Sequence, residues 1–248
     1  MSSLDRREIE LLAEKFSGKE LEAAIKEVEN GTPLAYALGE WYFYGLTFKL
    51  NRECLIPRPD TEHIVEKAIE LVAKNGTFAD LCTGSDCFAI SLKKHRPDLS
   101  GYALDVSKGA LEKAKENAKL NDTPLEFIEA DLLSFDPQGR FPMLDAVISN
   151  PPYIKTDVVK TLDVSKTEPI IALDGGQDGM VFYRRILDAF TPILKKDGVF
   201  IFEIGYDQRD DIISLAASQN LSCEVFKDYG GNYRVAVLKK SKKSAPII

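Results

Sequence analysis

The sequence predicts an α/β fold: a doubly wound, mostly parallel, seven-stranded Rossmann-like sheet, preceded by a small N-terminal helical region and a β-hairpin linker. Three observations predict it. From Gly76 onward, short apolar runs alternate with helix-length amphipathic runs, as strands joined by covering helices do. An aromatic, alternating segment centred on Gly45 reads as a hairpin. The first thirty residues carry an apolar stripe at helical spacing.

In chain order, residues 4–30 read as one or two helices, with Leu4, Ile9, Leu12, Phe16, Leu21, Ile25 and Val28 on the apolar face. Asn30-Gly31 breaks the run and Thr32-Pro33 confirms the break. The hairpin occupies residues 34–56, where Trp41, Phe43, Leu46, Phe48 and Leu50 alternate. Ile56-Pro57-Arg58-Pro59 forces extended backbone, and Asp60 or Thr61 then caps a helix to about Lys74. Strands follow at 77–81, 101–104, 125–128, 146–149, 199–204, 223–226 and 234–238. Helices run through Lys94, from the Ser107 cap through Leu120, and over about 178–191 and 207–219. Lys239-Lys240-Ser241-Lys242-Lys243 reads as a frayed basic tail. The organisation expected is therefore 1–33 helical, 34–56 hairpin linker, 57–240 main domain and 241–248 tail.

Composition narrows the class. A formal net charge of −7 and a sequence pI of about 5.1 argue against a duplex-binding protein, whose affinity comes largely from neutralising phosphates. No run is long and apolar enough for a membrane span, and Met1–Glu8 lacks the apolar core of a secretion signal. The cytoplasm is the expected compartment. The four cysteines form no C-x-x-C pair and only two histidines accompany them, so no zinc site is expected.

Two segments carry chemistry. Phe78 to Ile90 crosses a strand-to-helix junction through Cys82-Thr83-Gly84-Ser85-Asp86, small enough for backbone N–H groups to approach a ligand. Asp105 lies 21 residues beyond Gly84, at the end of the next strand, where a carboxylate can accept both ribose hydroxyls of an adenosine cofactor. The G-x-G-x-x-G fingerprint of dinucleotide sites fails, because Cys82 and Cys87 stand at glycine positions. S-adenosyl-L-methionine, which has no pyrophosphate, fits better. The second segment is Asn150-Pro151-Pro152-Tyr153, breaking off the strand Leu144–Ser149. An amide or exocyclic amino nitrogen is a poor nucleophile, since its lone pair is delocalised. The Asn150 side-chain oxygen and the Pro151 carbonyl can hold its two N–H groups and aim it at a methyl carbon. Proline stiffens that carbonyl, and the Tyr153 ring offers a stacking face. Pro-Pro alone would indicate only a rigid turn.

These residues resemble the release factor glutamine methyltransferase family over about residues 31–238. Gly39-Glu40-Trp41-Tyr42-Phe43-Tyr44-Gly45 resembles its hairpin, Ile56 to Glu62 its proline signature, and Ser149 to Ile154 its acceptor loop. Asp174-Gly175-Gly176-Gln177-Asp178-Gly179, Phe182-Tyr183-Arg184-Arg185 and Glu203-Ile204-Gly205-Tyr206 continue the match. The resemblance implies N5-methylation of the glutamine amide in the Gly-Gly-Gln motif of a class 1 peptide-chain release factor, with S-adenosyl-L-methionine as donor. It implies that Thr83, Gly84 and Ser85 line the methionine end, Asp105 holds the ribose, Leu132 flanks the adenine, and Asn150 to Tyr153 grip the glutamine. Gly175-Gly176-Gln177 falls in a family loop of different role and is not read as a self-methylation site.

Two residues depart from the family, which usually has glycine at the positions of Cys82 and Asp86. Asp86 is expected to push a carboxylate towards the cofactor's own. Like charges ~6 Å apart repel by roughly 3 kcal/mol at an effective dielectric of 20, weakening binding. The alternatives are a nucleic-acid base N-methyltransferase using the same tetrapeptide, a ribosomal-protein glutamine methyltransferase, and a non-catalytic protein-binding module with an impaired cofactor site.

Overall fold

A computed structural model describes residues 4–241. Helix α1 (Arg6–Lys15) starts from a capping box: the Asp5 carboxylate accepts the Glu8 N–H at 2.8 Å, and the Glu8 carboxylate accepts the Asp5 N–H at 2.9 Å. It packs with α2 (Gly18–Glu29) and α3 (Leu34–Leu38), burying Leu12, Ala24 and Leu38 where they meet. The stripe over 4–30 thus forms two helices. The segment expected to open directly as a hairpin first makes a helical turn, which Gly39 closes at φ +66°. Strands β1 (Glu40–Phe43) and β2 (Leu46–Lys49) then pair around Tyr44-Gly45, with φ of 49° and 74°. Two successive positive φ values mark the type I′ turn, which suits Gly45. The hairpin docks by its apolar face: Phe43 and Phe48 are buried, and the Phe43 ring lies 5.8 Å from that of Phe88.

Helix α4 (Glu62–Leu71) follows a short turn at Pro59–Thr61 and stops before Lys74, because Val72 turns extended to lead into the sheet. The remaining elements are β3 (Thr77–Leu81), α5 (Cys87–His95), β4 (Ser100–Asp105), α6 (Lys108–Leu120), β5 (Glu126–Glu129), β6 (Leu144–Ser149), α7 (Thr156–Val159), α8 (Val181–Phe190), β7 (Leu194–Glu203), α9 (Arg209–Ser218), β8 (Leu221–Lys227) and β9 (Tyr233–Lys240). They form one seven-stranded sheet of order β5-β4-β3-β6-β7-β9-β8. The first five strands in that order are parallel, and β9 is antiparallel to both its neighbours. Lys239 and Lys240, expected in the tail, belong to β9, where Lys240 Nζ donates to the Leu194 carbonyl. Lys242 and Lys243 lie outside the described residues, as do Met1–Ser3.

Alternate residues of the central strands enter opposite cores, the period-2 consequence of a sheet covered on both faces. Ala79, Val147, Phe200 and Phe202 pack under α8, through Tyr183, Ile186, Leu187 and Phe190. Phe78, Ala146, Ile148, Val199 and Ile201 share the other core with Ile64 and Val65 of α4 and Ile90 of α5. The chain steps outward from β3 to β4 to β5, then returns to β6 on the other flank of β3. That reversal opens a crevice at the carboxyl ends of β3 and β6, where open α/β sheets bind ligands. The Ser149 hydroxyl, donating to the Leu81 carbonyl at 2.6 Å, ties the two strand ends beneath it.

Candidate active site

The crevice is a cavity of about 360 Å³, large enough for a small-molecule ligand. Cys82, Thr83, Gly84, Ser85, Asp105, Leu132, Asn150 and Pro152 all line it, drawn together from the ends of three parallel strands and the loop after β5. Leu55 to Arg58 of the proline signature form another wall. Glu168 holds that segment: it pairs with Arg58 and accepts the Ile56 N–H at 2.9 Å.

Asp105 anchors the cofactor side. Its Oδ2 accepts the Gly84 N–H and its Oδ1 the Ser107 N–H, each at 2.8 Å. Each carboxylate oxygen keeps another lone pair, so the group can still accept donors from the cavity. Burial raises its pKa, and the backbone N–H groups of Ser107, Gly84 and Val106 oppose the shift. The Leu132 loop is held from α8, where Arg185 Nε donates to the Leu132 carbonyl at 3.1 Å. Glu53 also lines the cavity and accepts the Ser107 hydroxyl at 2.5 Å. No spacing in the sequence relates Glu53 to Asp105, so sequence reasoning missed it. The Asn117 amide, which donates to both the Lys49 and the Ser85 carbonyls, was missed for the same reason.

Asp86 does not line the cavity. Its backbone is left-handed, at φ +65° and ψ 28°, and its side chain lies fully buried behind the loop, 2.7 Å from the Thr83 hydroxyl. The expected charge repulsion across the cavity therefore has no geometric basis. Cys82 also takes a glycine-like φ, +58°, but its small thiol stays at the cavity wall. Burial and the neighbouring carboxyls of Asp105 and Asp80 push its pKa up and keep it neutral.

On the acceptor side, the Asn150 carboxamide faces the cavity without a side-chain hydrogen-bond partner among the described residues. Both prolines are buried; Pro152 lines the cavity beside Asn150, whereas Pro151 does not and Tyr153 is turned away. The Tyr153 hydroxyl donates to buried Glu203 at 3.2 Å, and its ring packs against the core, so it anchors the loop rather than presenting an open stacking face. Burial first, then Glu203, pushes the Tyr153 pKa well above the usual phenol value. The loop is backed by Asp174 to Gly179. The Ile154 N–H donates to the Leu173 carbonyl, and the Gly175 N–H to that of Ile154, at 3.0 and 2.8 Å. A Cβ at Gly175 would sit 2.7 Å from the Pro152 carbonyl oxygen, so only glycine lets the backbones approach. Gln208 completes the support: its Nε2 donates to the Tyr153 and Gly179 carbonyls at 3.0 and 3.1 Å, while its Oε1 accepts the Gly205 N–H at 2.9 Å.

The model of the Methyltransferase small domain matches residues 61–168, which run from the proline signature across the cavity. The chain is 38% identical to the release factor glutamine methyltransferase of Thermodesulfovibrio yellowstonii over 218 residues, covering 85% of this chain and 77% of that relative. It is 40% identical to the one from Agrobacterium fabrum over 229 residues, 88% of this chain and 78% of the relative. The chain belongs to the release factor glutamine methyltransferase family. Solved structures share the fold at lower identity. A methyltransferase from Pyrococcus furiosus is similar at a TM-score of 0.61 and 17% identity, covering 88% of this chain and 95% of that one. A ribosomal protein L11 methylase from Lactobacillus delbrueckii subsp. bulgaricus is similar at 0.56 and 20%, covering 76% and 82%.

Methyltransferases of this family depend on S-adenosyl-L-methionine, and the residues present fit it. Asp105 has acceptor capacity left for ribose hydroxyls, Leu132, Leu133 and Phe182 offer an apolar wall for a base, and Thr83 to Ser85 leave room for the amino-acid end. Among the described residues no helix is long and apolar enough to cross a membrane.

Proposed function

We propose that this protein N5-methylates the side-chain amide of the glutamine in the Gly-Gly-Gln motif of a class 1 peptide-chain release factor, in the cytoplasm and without specific nucleic-acid binding. One observation carries the reading: an unpartnered asparagine carboxamide stands in the wall of the cavity that also contains Asp105 and Thr83 to Ser85. Asn150 is half-buried and its side chain bonds to no other group among the described residues, so its carboxamide oxygen and N–H groups are available to a ligand in the cavity. S-adenosyl-L-methionine, when bound, supplies an electrophilic methyl group on a positively charged sulfonium.

The protein's own contribution is positioning. Asp105 holds the ribose and Leu132 packs beside the adenine. Asn150 Oδ1 accepts one N–H of the substrate amide and the Pro151 carbonyl accepts the other. The glutamine nitrogen is thereby aimed along the line of displacement and kept from rotating. Orientation of this kind contributes several orders of magnitude without a metal or a covalent enzyme intermediate. Glu203, Gln208 and Gly175 hold the acceptor loop to the sheet, so its geometry exists before substrate arrives.

The reading is tested by incubating candidate class 1 release factors with enzyme and cofactor, followed by mass spectrometry of the Gly-Gly-Gln peptide. One added methyl on that glutamine is the expected result. Methylation of a ribosomal protein or of nucleic acid, with none on the release factor, would replace it with one of the alternatives.

A further inference from the structure

The wall of the cofactor site rests on two carboxyl groups that the methyl transfer does not use. Beneath the loop, Thr83 Oγ1 lies 2.6 Å from Asp80 Oδ2 and 2.7 Å from Asp86 Oδ1. Asp80 is 1% exposed and Asp86 0%. A hydroxyl has one proton and donates one hydrogen bond. It can satisfy one of these oxygens; the other contact, equally short, needs its proton from the carboxyl. With both groups ionised, one oxygen pair would face each other with no proton between them. The outer oxygens, Asp80 Oδ1 and Asp86 Oδ2, are buried without partners, which a neutral carboxyl tolerates far better than a carboxylate.

The surrounding groups do not relieve the charge. Asp105 on β4 acts on Asp80 as a further negative charge, and only the Thr83 hydroxyl and the Ala89 N–H at the start of α5 favour its ionised form. The neighbouring Cys82 and Cys87 thiols are kept neutral by burial, and the other charged group facing Cys87 is Glu203 on β7. No lysine, arginine or histidine among the described residues pairs with either aspartate. Burial, with the charge of Asp105, pushes Asp80 up to about 7, and burial, with the charge of Asp80, pushes Asp86 well above the usual carboxylate range.

We propose that Asp86 is a positioning residue: the Asp80 and Asp86 carboxyls share one proton in addition to that of the Thr83 hydroxyl, and that carboxyl proton holds the Thr83–Ser85 wall in the shape that binds an S-adenosyl ligand. The inference rests on the reading that this cavity takes such a ligand. The sign follows from the raised carboxyl pKa values. The native state keeps a proton that unfolded aspartates release above about pH 4, so the stabilisation is complete in acid and is lost as pH rises through the native titration. Ligand affinity follows, because loss of the proton removes one of the two bonds that set Thr83 against the loop. In the one-proton limit the dissociation constant rises by up to about tenfold per pH unit above that titration.

The test is calorimetric titration of the full chain with S-adenosylhomocysteine from about pH 6 to about pH 10. Wild-type affinity is expected to fall with rising pH. In Asp86→Asn, whose carboxamide donates a hydrogen without titrating, the profile is expected to flatten. Asp86→Gly, which suits the φ of +65°, serves as the second variant and is expected to flatten the profile too. Infrared difference spectroscopy needs no ligand. A protonated-carboxyl band present in the wild type at neutral pH and absent from Asp86→Asn is the expected signature. A pH-independent wild-type affinity, an unchanged slope in both variants, or a missing carboxyl band would overturn the proposal. Absence of binding at every pH would overturn the cofactor reading with it; a carboxyl band beside that result would show which of the two had failed first.

Discussion

Gln208 bonds to three backbone segments at once, and replacing it with leucine separates its structural work from cofactor binding. The substitution keeps the approximate volume of a side chain that is 3% exposed. It deletes two donated bonds, to the Tyr153 and Gly179 carbonyls, and one accepted bond, from the Gly205 N–H. A net contribution of about 1 kcal/mol per bond puts the loss at about 3 kcal/mol, more if the stranded groups stay dry. Urea unfolding should show this as a lower midpoint with an unchanged slope. The functional effect should fall on the acceptor side. Turnover with the release factor should drop at least tenfold, while the S-adenosylhomocysteine dissociation constant should stay within about twofold, since Gln208 hydrogen-bonds to no residue of the Cys82–Ser85 wall. Gln208→Glu, which sets a carboxylate against two carbonyl oxygens, should be at least as damaging at neutral pH and should partly recover in acid, where a protonated carboxyl again donates. A leucine variant with full turnover would refute the buttressing role. Parallel losses of turnover and cofactor affinity would refute its confinement to the acceptor loop.

Three further outcomes are expected. Asn150→Ala should lower turnover at least a hundredfold with little change in S-adenosylhomocysteine affinity, read by single-turnover kinetics and calorimetry. Asp105→Asn should weaken S-adenosylhomocysteine binding about tenfold to a hundredfold, the equivalent of about 1.5–3 kcal/mol for hydrogen bonds to a charged group. Gly179→Ala should lower the melting temperature, because it sets a side chain at φ +75° with its Cβ 2.7 Å from Gln208 Nε2; the backbone conformation alone costs about 1–2 kcal/mol.

The acceptor tetrapeptide, the Gly84–Asp105 spacing and the proline signature were legible because each is a local pattern tied to a strand end. Their convergence on one cavity followed from the parallel topology, which the alternation of strands and helices had already implied. Element ends were less legible. Lys239 and Lys240 read as tail because local charge says nothing of the neighbouring strands β7 and β8, which extend β9 by pairing with it. Glu53, Gln208 and Asn117 carried no local signal, since their partners lie 54, 55 and 68 residues away in the chain.

The sequence by itself determined the fold class, the family and eight of the residues that line the cavity, because periodicity and short motifs are written in adjacent positions. Only the tertiary structure decided which way Asp86 and Tyr153 point. The left-handed backbone at Asp86 turns its carboxyl onto the Thr83 hydroxyl, which also meets Asp80, and Glu203 draws the Tyr153 hydroxyl inward. A residue's identity states what its side chain can bond. Its backbone angle and its distant neighbours settle what it does bond, so the aspartate that reads as an intrusion on the cofactor stands behind the loop instead.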